Sequence, residues 1–80
     1  MTAKTESAAP DISIVIPVYN EEAILEAAVK DLIDRLVPFQ FTYELILAEN
    51  GSKDGTVKLA ESLSQRFPQV RSFSLGEPNY

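Results

Sequence analysis

Eighty residues, 45% hydrophobic and 24% charged, suit one small globular domain and are too few for two. The chain has neither cysteine nor histidine, which removes disulfide scaffolds, zinc fingers, cysteine nucleophiles and histidine acid–base catalysis together. A net charge of −5 argues against non-specific binding of nucleic acid or of an anionic membrane. A nucleotide ligand stays open, because backbone amides and a metal ion can neutralise a diphosphate.

The first ten residues are small and polar, lack the apolar core of a signal peptide, and read as a disordered lead-in. No apolar run approaches the ~18–20 residues of a membrane span. Ile12 to Ile16 is β-branched apart from Ser13 and predicts a strand stopped by Pro17. Val18 to Asn20 is then a short loop, with Asn20 as N-cap and Glu21 and Glu22 in the first helical turn, complementing the helix dipole. From Glu21 to Val37, the residues Ile24, Leu25, Ala28, Val29, Leu32, Ile33 and Leu36 trace an apolar helical face. Glu26–Lys30 and Asp31–Arg35 are i,i+4 pairs on the other side. Pro38 is expected to end this helix by disfavouring helical geometry at Val37. Phe39 to Thr42 is a connector.

Leu45 to Ala48 is the short continuous apolar run of a central strand covered on both faces. It switches within one residue to the polar, turn-forming run from Glu49 to Gly55. Asp54 is placed to cap a second helix, whose stripe is Thr56, Ala60, Leu63 and Phe67 and whose end is set by Pro68. Val70 to Leu75 alternates weakly, as an outer strand does, and Gly76 to Tyr80 makes a polar turn. The fold class is therefore α/β: a Rossmann-like β-α-β-α-β unit with a parallel sheet in the order 3-2-1. The first strand, apolar on both faces, would stand at an open edge. Residues 1–10 thus read as a tail, and 11–80 as the N-terminal, incomplete portion of a larger domain.

Both polar loops follow strands directly, so parallel neighbours would bring them to one rim of the sheet, where ligands of open α/β folds bind. That rim would hold Tyr19, Glu21, Glu49, Asn50, Asp54 and two helix N-termini. An aromatic face with a hydrogen-bonding wall suits a heteroaromatic base, and freed amides suit phosphate. An ordinary, well-capped βα turn accounts for the second loop taken alone. The Walker pattern fails on the spacing of Gly51 and Gly55, and no glycine follows the first strand as the dinucleotide fingerprint requires.

SIVIPVYNEE, a helix, YELILAENGSKDGT and a second helix together resemble the start of a family 2 glycosyltransferase. The likeness is greatest to polyprenyl-phosphate sugar transferases such as dolichyl-phosphate mannose synthase, and it covers Asp11 to Tyr80. The closing GEPNY resembles the family's next strand and loop. The resemblance implies a GT-A fold with Pro17, Tyr19 and Glu21 against the nucleoside of a sugar donor, Ala48 and Asn50 lining the base pocket, and Glu49 beside them. It implies a cytoplasmic transferase, at the cytoplasmic face of a membrane where its acceptor is lipid-borne. Such an enzyme passes a sugar from a UDP- or GDP-sugar to a polyprenyl phosphate or glycan, with no role for nucleic acid. Membrane association would come through C-terminal regions.

Two departures stand out. The family usually has two aspartates where this chain has Glu49 and Asn50. Its D-x-D, which holds a divalent cation (Mg or Mn), and its catalytic residues lie beyond Tyr80, so no catalytic or metal-binding residue is expected in these residues and the 80-residue chain alone should be inactive. The alternative is a non-catalytic flavodoxin-like or receiver-like module. A receiver, however, should carry clustered acids where this chain has Pro17-Val18-Tyr19-Asn20-Glu21.

Overall fold

The computed structural model describes residues 9–74. The expected lead-in therefore lies almost wholly outside the described residues, as do Leu75 and the turn from Gly76 to Tyr80. The chain runs β1 (Ile12–Val18), α1 (Leu25–Leu36), β2 (Tyr43–Glu49), α2 (Thr56–Arg66) and β3 (Val70–Ser74). β2 lies between β1 and β3, and both pairings are parallel. This is the expected alternation and strand order.

One face of the sheet carries the core. Leu45 and Leu47 of β2 are fully buried with Val18 of β1 and Val70 of β3 beneath Leu25 and Val29 of α1 and Ala60 and Leu63 of α2. The other face differs from the expectation of a strand covered on both sides. Among the described residues no helix covers it, and Val15 and Phe73 stand 60% and 58% exposed there. Side chains alternate across a strand, so Pro17 and its register partner Ala48 share this open face.

β1 runs two residues past Ile16, through Pro17 to Val18. Ile12 donates to Thr42 O at 3.2 Å and Val18 O accepts Asn50 N–H at 3.1 Å, so even-numbered residues of β1 face β2 with their backbone groups. Pro17 faces the other way, and its missing N–H leaves no ladder bond broken.

The helices also depart from expectation at their ends. α1 begins at Leu25 rather than Glu21, and the acidic residue of its first turn is Glu26. Residues 21–24 form a separate turn in which Ile24 and Leu25 both donate to Glu21 O, at 3.1 and 2.9 Å. Val37 keeps helical dihedrals (φ −52°, ψ −42°) despite Pro38, with its N–H on Asp34 O in a tightened last turn. Phe67, before Pro68, is extended (φ −120°, ψ 116°), as the pre-proline clash dictates. On the outer surface Glu26 meets Lys30 at 3.1 Å and Asp31 meets Arg35 at 2.8 Å, and Arg66 of α2 reaches Glu26 at 3.2 Å. The connector before β2 holds an aromatic row, Phe39 stacked on Phe41 at 5.5 Å and Phe41 edge-on to Tyr43 at 6.3 Å. No helix among the described residues is long and apolar enough to cross a membrane.

Candidate functional site

β1 and β2 end level, Val18 opposite Glu49, and their loops leave the sheet side by side. Asn50 N–H on Val18 O carries the ladder one residue further. Beyond it, side chains take over. Three consecutive amides of the first loop donate to side chains of the second and of the residue that starts α2: Asn20 to Ser52 Oγ at 2.8 Å, Glu21 to Thr56 Oγ1 at 2.8 Å and Glu22 to Asp54 Oδ2 at 3.3 Å. Two bonds return. Lys53 N–H donates to Asn20 Oδ1 at 2.7 Å, and Gly55 N–H donates to Glu22 Oε1 at 2.9 Å.

This cross-bracing explains the late start of α1. Asn20 is not its N-cap: its side-chain oxygen is engaged by Lys53 across the rim, and its backbone takes a left-handed conformation with φ 50°. Asp54 is not the N-cap of α2 either, and acts from one residue further out. The cap position is Gly55, while Asp54 Oδ1 accepts Thr56 N–H at 2.9 Å and also the Thr56 hydroxyl. The hydroxyl bond from Thr56, with the amides of Thr56 and Glu22, outweighs desolvation and holds the Asp54 carboxyl below its ordinary 3.8. Gly51 turns the loop with φ 77°, a conformation that costs a side chain dearly. At Gly55 a Cβ would run into the Glu22 carboxylate, which would have to shift from its present contact with that amide.

The residues proposed from sequence divide by where the strands put them. Pro17 and Ala48 lie side by side on the open face, with Phe73 next to Ala48 on β3. Tyr19 follows at the rim, 43% exposed. Glu21 and Asn50 are half-buried on the two loops, and Asn50 Oδ1 is sealed from solvent with no hydrogen-bond partner among the described residues. Such an orphaned acceptor is costly and marks a place where a donor is wanted. Glu49 stands apart: it belongs to the covered face and is 1% exposed. Its Oε1 accepts the Ser74 hydroxyl at 2.6 Å and its Oε2 accepts Ser52 N–H. Burial alone would push this carboxyl up, but the bonds from Ser74 and Ser52 more than offset it and leave it below the ordinary 4.5.

Sequence reasoning missed the part played by Asn20, Glu22 and Thr56, which it assigned to helix caps and stripes. The signal was the polar run opposite Asn20-Glu21-Glu22, with an acceptor at each of Ser52, Asp54 and Thr56. Among the described residues no three Asp or Glu side chains converge to hold a metal ion. A cavity of about 470 Å³ lined by Thr42, Tyr43, Glu44, Gln69 and Arg71 lies at the opposite end of the strands.

A parallel sheet with two loops braced at its carboxyl rim is the architecture of open α/β domains, whose ligands bind at that rim. The chain matches glycosyl transferase family 2 over residues 13–79 and belongs to that family. It is 42% identical over 81% of its length to an uncharacterized glycosyltransferase of Synechocystis, of which it covers 20%. It is 36% identical, over 71% of its length, to the dolichyl-phosphate beta-glucosyltransferase of Dictyostelium discoideum, covering 19% of that protein. An undecaprenyl-phosphate 4-deoxy-4-formamido-L-arabinose transferase of Proteus mirabilis is 42% identical over 62% of the chain, which covers 15% of it. The chain thus spans about a fifth of the first two relatives' length. Family membership displaces the flavodoxin-like and receiver-like alternatives.

Proposed function

We propose that residues 11–80 form the donor-binding portion of a glycosyltransferase that moves a sugar from a UDP- or GDP-sugar to a lipid phosphate or glycan. The observation that carries this reading is the braced pair of loops at the carboxyl rim, beside the open-face pair Pro17 and Ala48. Pro17 and Ala48 give a flat apolar floor, Tyr19 an aromatic wall, and Glu21 and Asn50 polar groups at its margin. A base held against that floor would direct its diphosphate outward from the rim. Lipid-phosphate acceptors are supported by the names of the Dictyostelium and Proteus relatives. They suit an enzyme working at the cytoplasmic face of a membrane.

A divalent cation would serve such an enzyme by neutralising the departing diphosphate. The described residues do not fit that role, because Glu49 and Asp54 are occupied by internal hydrogen bonds and no acidic trio forms. The contribution of these residues is to bind and orient the nucleotide. Calorimetric titration of UDP and GDP into the full-length protein tests the reading. Saturable binding of at least one, lost when Tyr19 and Asn50 are both changed to alanine, is expected. Absence of binding by either nucleotide would overturn it.

A further inference from the structure

We propose that Glu49 is a positioning residue: its buried carboxylate ties the end of β3 to the second rim loop and so sets both loops for a nucleoside diphosphate. The inference rests on the nucleotide-binding reading above. Glu49 is the one charged side chain in the described core, and no lysine or arginine pairs with it among the described ion pairs. An isolated buried carboxylate is tolerated only where hydrogen bonds replace water. Here they come from Ser74 Oγ at 2.6 Å and from Ser52 N–H.

The alternation of β2 sends this side chain to the helix side, away from Ala48 on the open face. A link runs onward from it. Ser52, held by Glu49 through its amide, accepts Asn20 N–H on its hydroxyl, and Asn20 in turn accepts Lys53 N–H. The end of β3 is thereby joined through Glu49 to the residue next to Tyr19. A cavity of about 50 Å³ lined by Glu49, Val57, Ala60, Ser72 and Ser74 lies beside the carboxylate. Packing is therefore incomplete there, and hydrogen bonds fix the side chain. What the link demands is reach.

Two substitutions separate reach from charge. Glu49→Gln keeps the length: its carbonyl can take Ser52 N–H while its amide donates to a rotated Ser74 hydroxyl. Glu49→Asp keeps the charge but falls one methylene short of spanning both partners. In the full-length protein Glu49→Asp should weaken UDP and GDP binding equally, by roughly tenfold, the scale of leaving one buried donor unpaired. Glu49→Gln should stay within about threefold of wild type on the same scale. A carboxylate touching the ligand would reverse that order or make the loss depend on the base, and either result overturns the proposal. Amide exchange supplies a readout that needs no ligand. Exchange at Ser52 and Asn20 should quicken in Glu49→Asp relative to Glu49→Gln while Leu45 and Leu47 stay protected. Unchanged exchange overturns the link even if both nucleotides bind. Normal exchange effects without nucleotide binding by wild type would instead sink the function proposed above.

Discussion

The two rim loops brace one another, but unequally. The second loop, Asn50 to Gly55, holds much of its own shape: a left-handed glycine at Gly51, the Asp54 carboxylate on the first amide of α2, and a brace to β2 through Glu49. The first loop borrows its shape. Its amides at Asn20, Glu21 and Glu22 are each met by a side chain more than thirty residues away. Asn20 and Glu22 return bonds to the amides of Lys53 and Gly55, which leaves Tyr19 outside the brace and 43% exposed. In the function proposed above, the second loop is the scaffold and the first is the edge that meets the ligand.

The strongest way to break this comparison is to remove a scaffold acceptor. Thr56 is fully buried, and its hydroxyl accepts Glu21 N–H while donating to Asp54. Thr56→Val keeps the shape and deletes both bonds, leaving a part-buried amide unpaired. It should cost about 1–3 kcal/mol of stability through the stranded Glu21 amide, since Asp54 is exposed and keeps Thr56 N–H. Urea denaturation of the full-length protein measures this, and a loss under 0.5 kcal/mol, the ordinary surface-substitution scale of about ±0.5 kcal/mol, would show that the first loop does not lean on the second.

Tyr19→Ala sharpens the comparison from the other side. The ring is 43% exposed and follows the open-face position Pro17. Its removal should leave stability nearly unchanged while weakening nucleotide binding by about 1–3 kcal/mol, the scale of base–aromatic stacking. A stability loss with intact affinity would make Tyr19 part of the scaffold instead.

Asn50 opens the second loop, with its amide on the β1–β2 ladder and no partner for its Oδ1 among the described residues. Guanine presents two adjacent donors on its Watson–Crick edge, which a carboxylate satisfies and an amide cannot. Uracil presents a donor beside an acceptor, the complement of an amide. Leaving one buried donor unpaired costs about 1–3 kcal/mol, so wild type should prefer UDP to GDP by roughly tenfold. Asn50→Asp should move that ratio toward GDP in competition binding. A wild-type preference for GDP, or a ratio that stays fixed, would remove Asn50 as the base reader.

How much of this was legible in the sequence follows the same division. The alternation of strands and helices follows from local pattern: Ala60 and Leu63 were placed by helical periodicity and Leu45 and Leu47 by a continuous apolar run, though the second-face cover that run implied is absent among the described residues. Asn20 was misplaced because its neighbours Glu21 and Glu22 look like a first helical turn, and nothing local shows that Lys53 engages its oxygen. Glu49 was grouped with Asn50 by adjacency, although a period of two in a strand sends neighbours to opposite faces. Pro17 illustrates the converse: its effect depended on which edge of β1 was unpaired, a fact of pairing that composition does not carry.

The smallest effect is expected from mild acid, and its sign follows from the two carboxylates of the scaffold. Glu49 and Asp54 are both held below their ordinary values of 4.5 and 3.8. A carboxyl whose folded value is depressed binds protons more readily unfolded than folded, so its stabilising contribution is complete above the ordinary value. It is lost as pH falls through the lower folded one. Stability should therefore hold from neutrality down to the ordinary carboxylate range and decline below 4.5, first through Glu49 and then through Asp54. The net charge of −5 works the other way, because protonation relieves self-repulsion, which is why the net change in mild acid stays small. Amide exchange against pH isolates the local part. The amides of Ser52, Glu22 and Thr56, which donate to these carboxylates, should lose protection before the core strand β2 does. If β2 and the rim lose protection together, the scaffold carboxylates are not what acid attacks first.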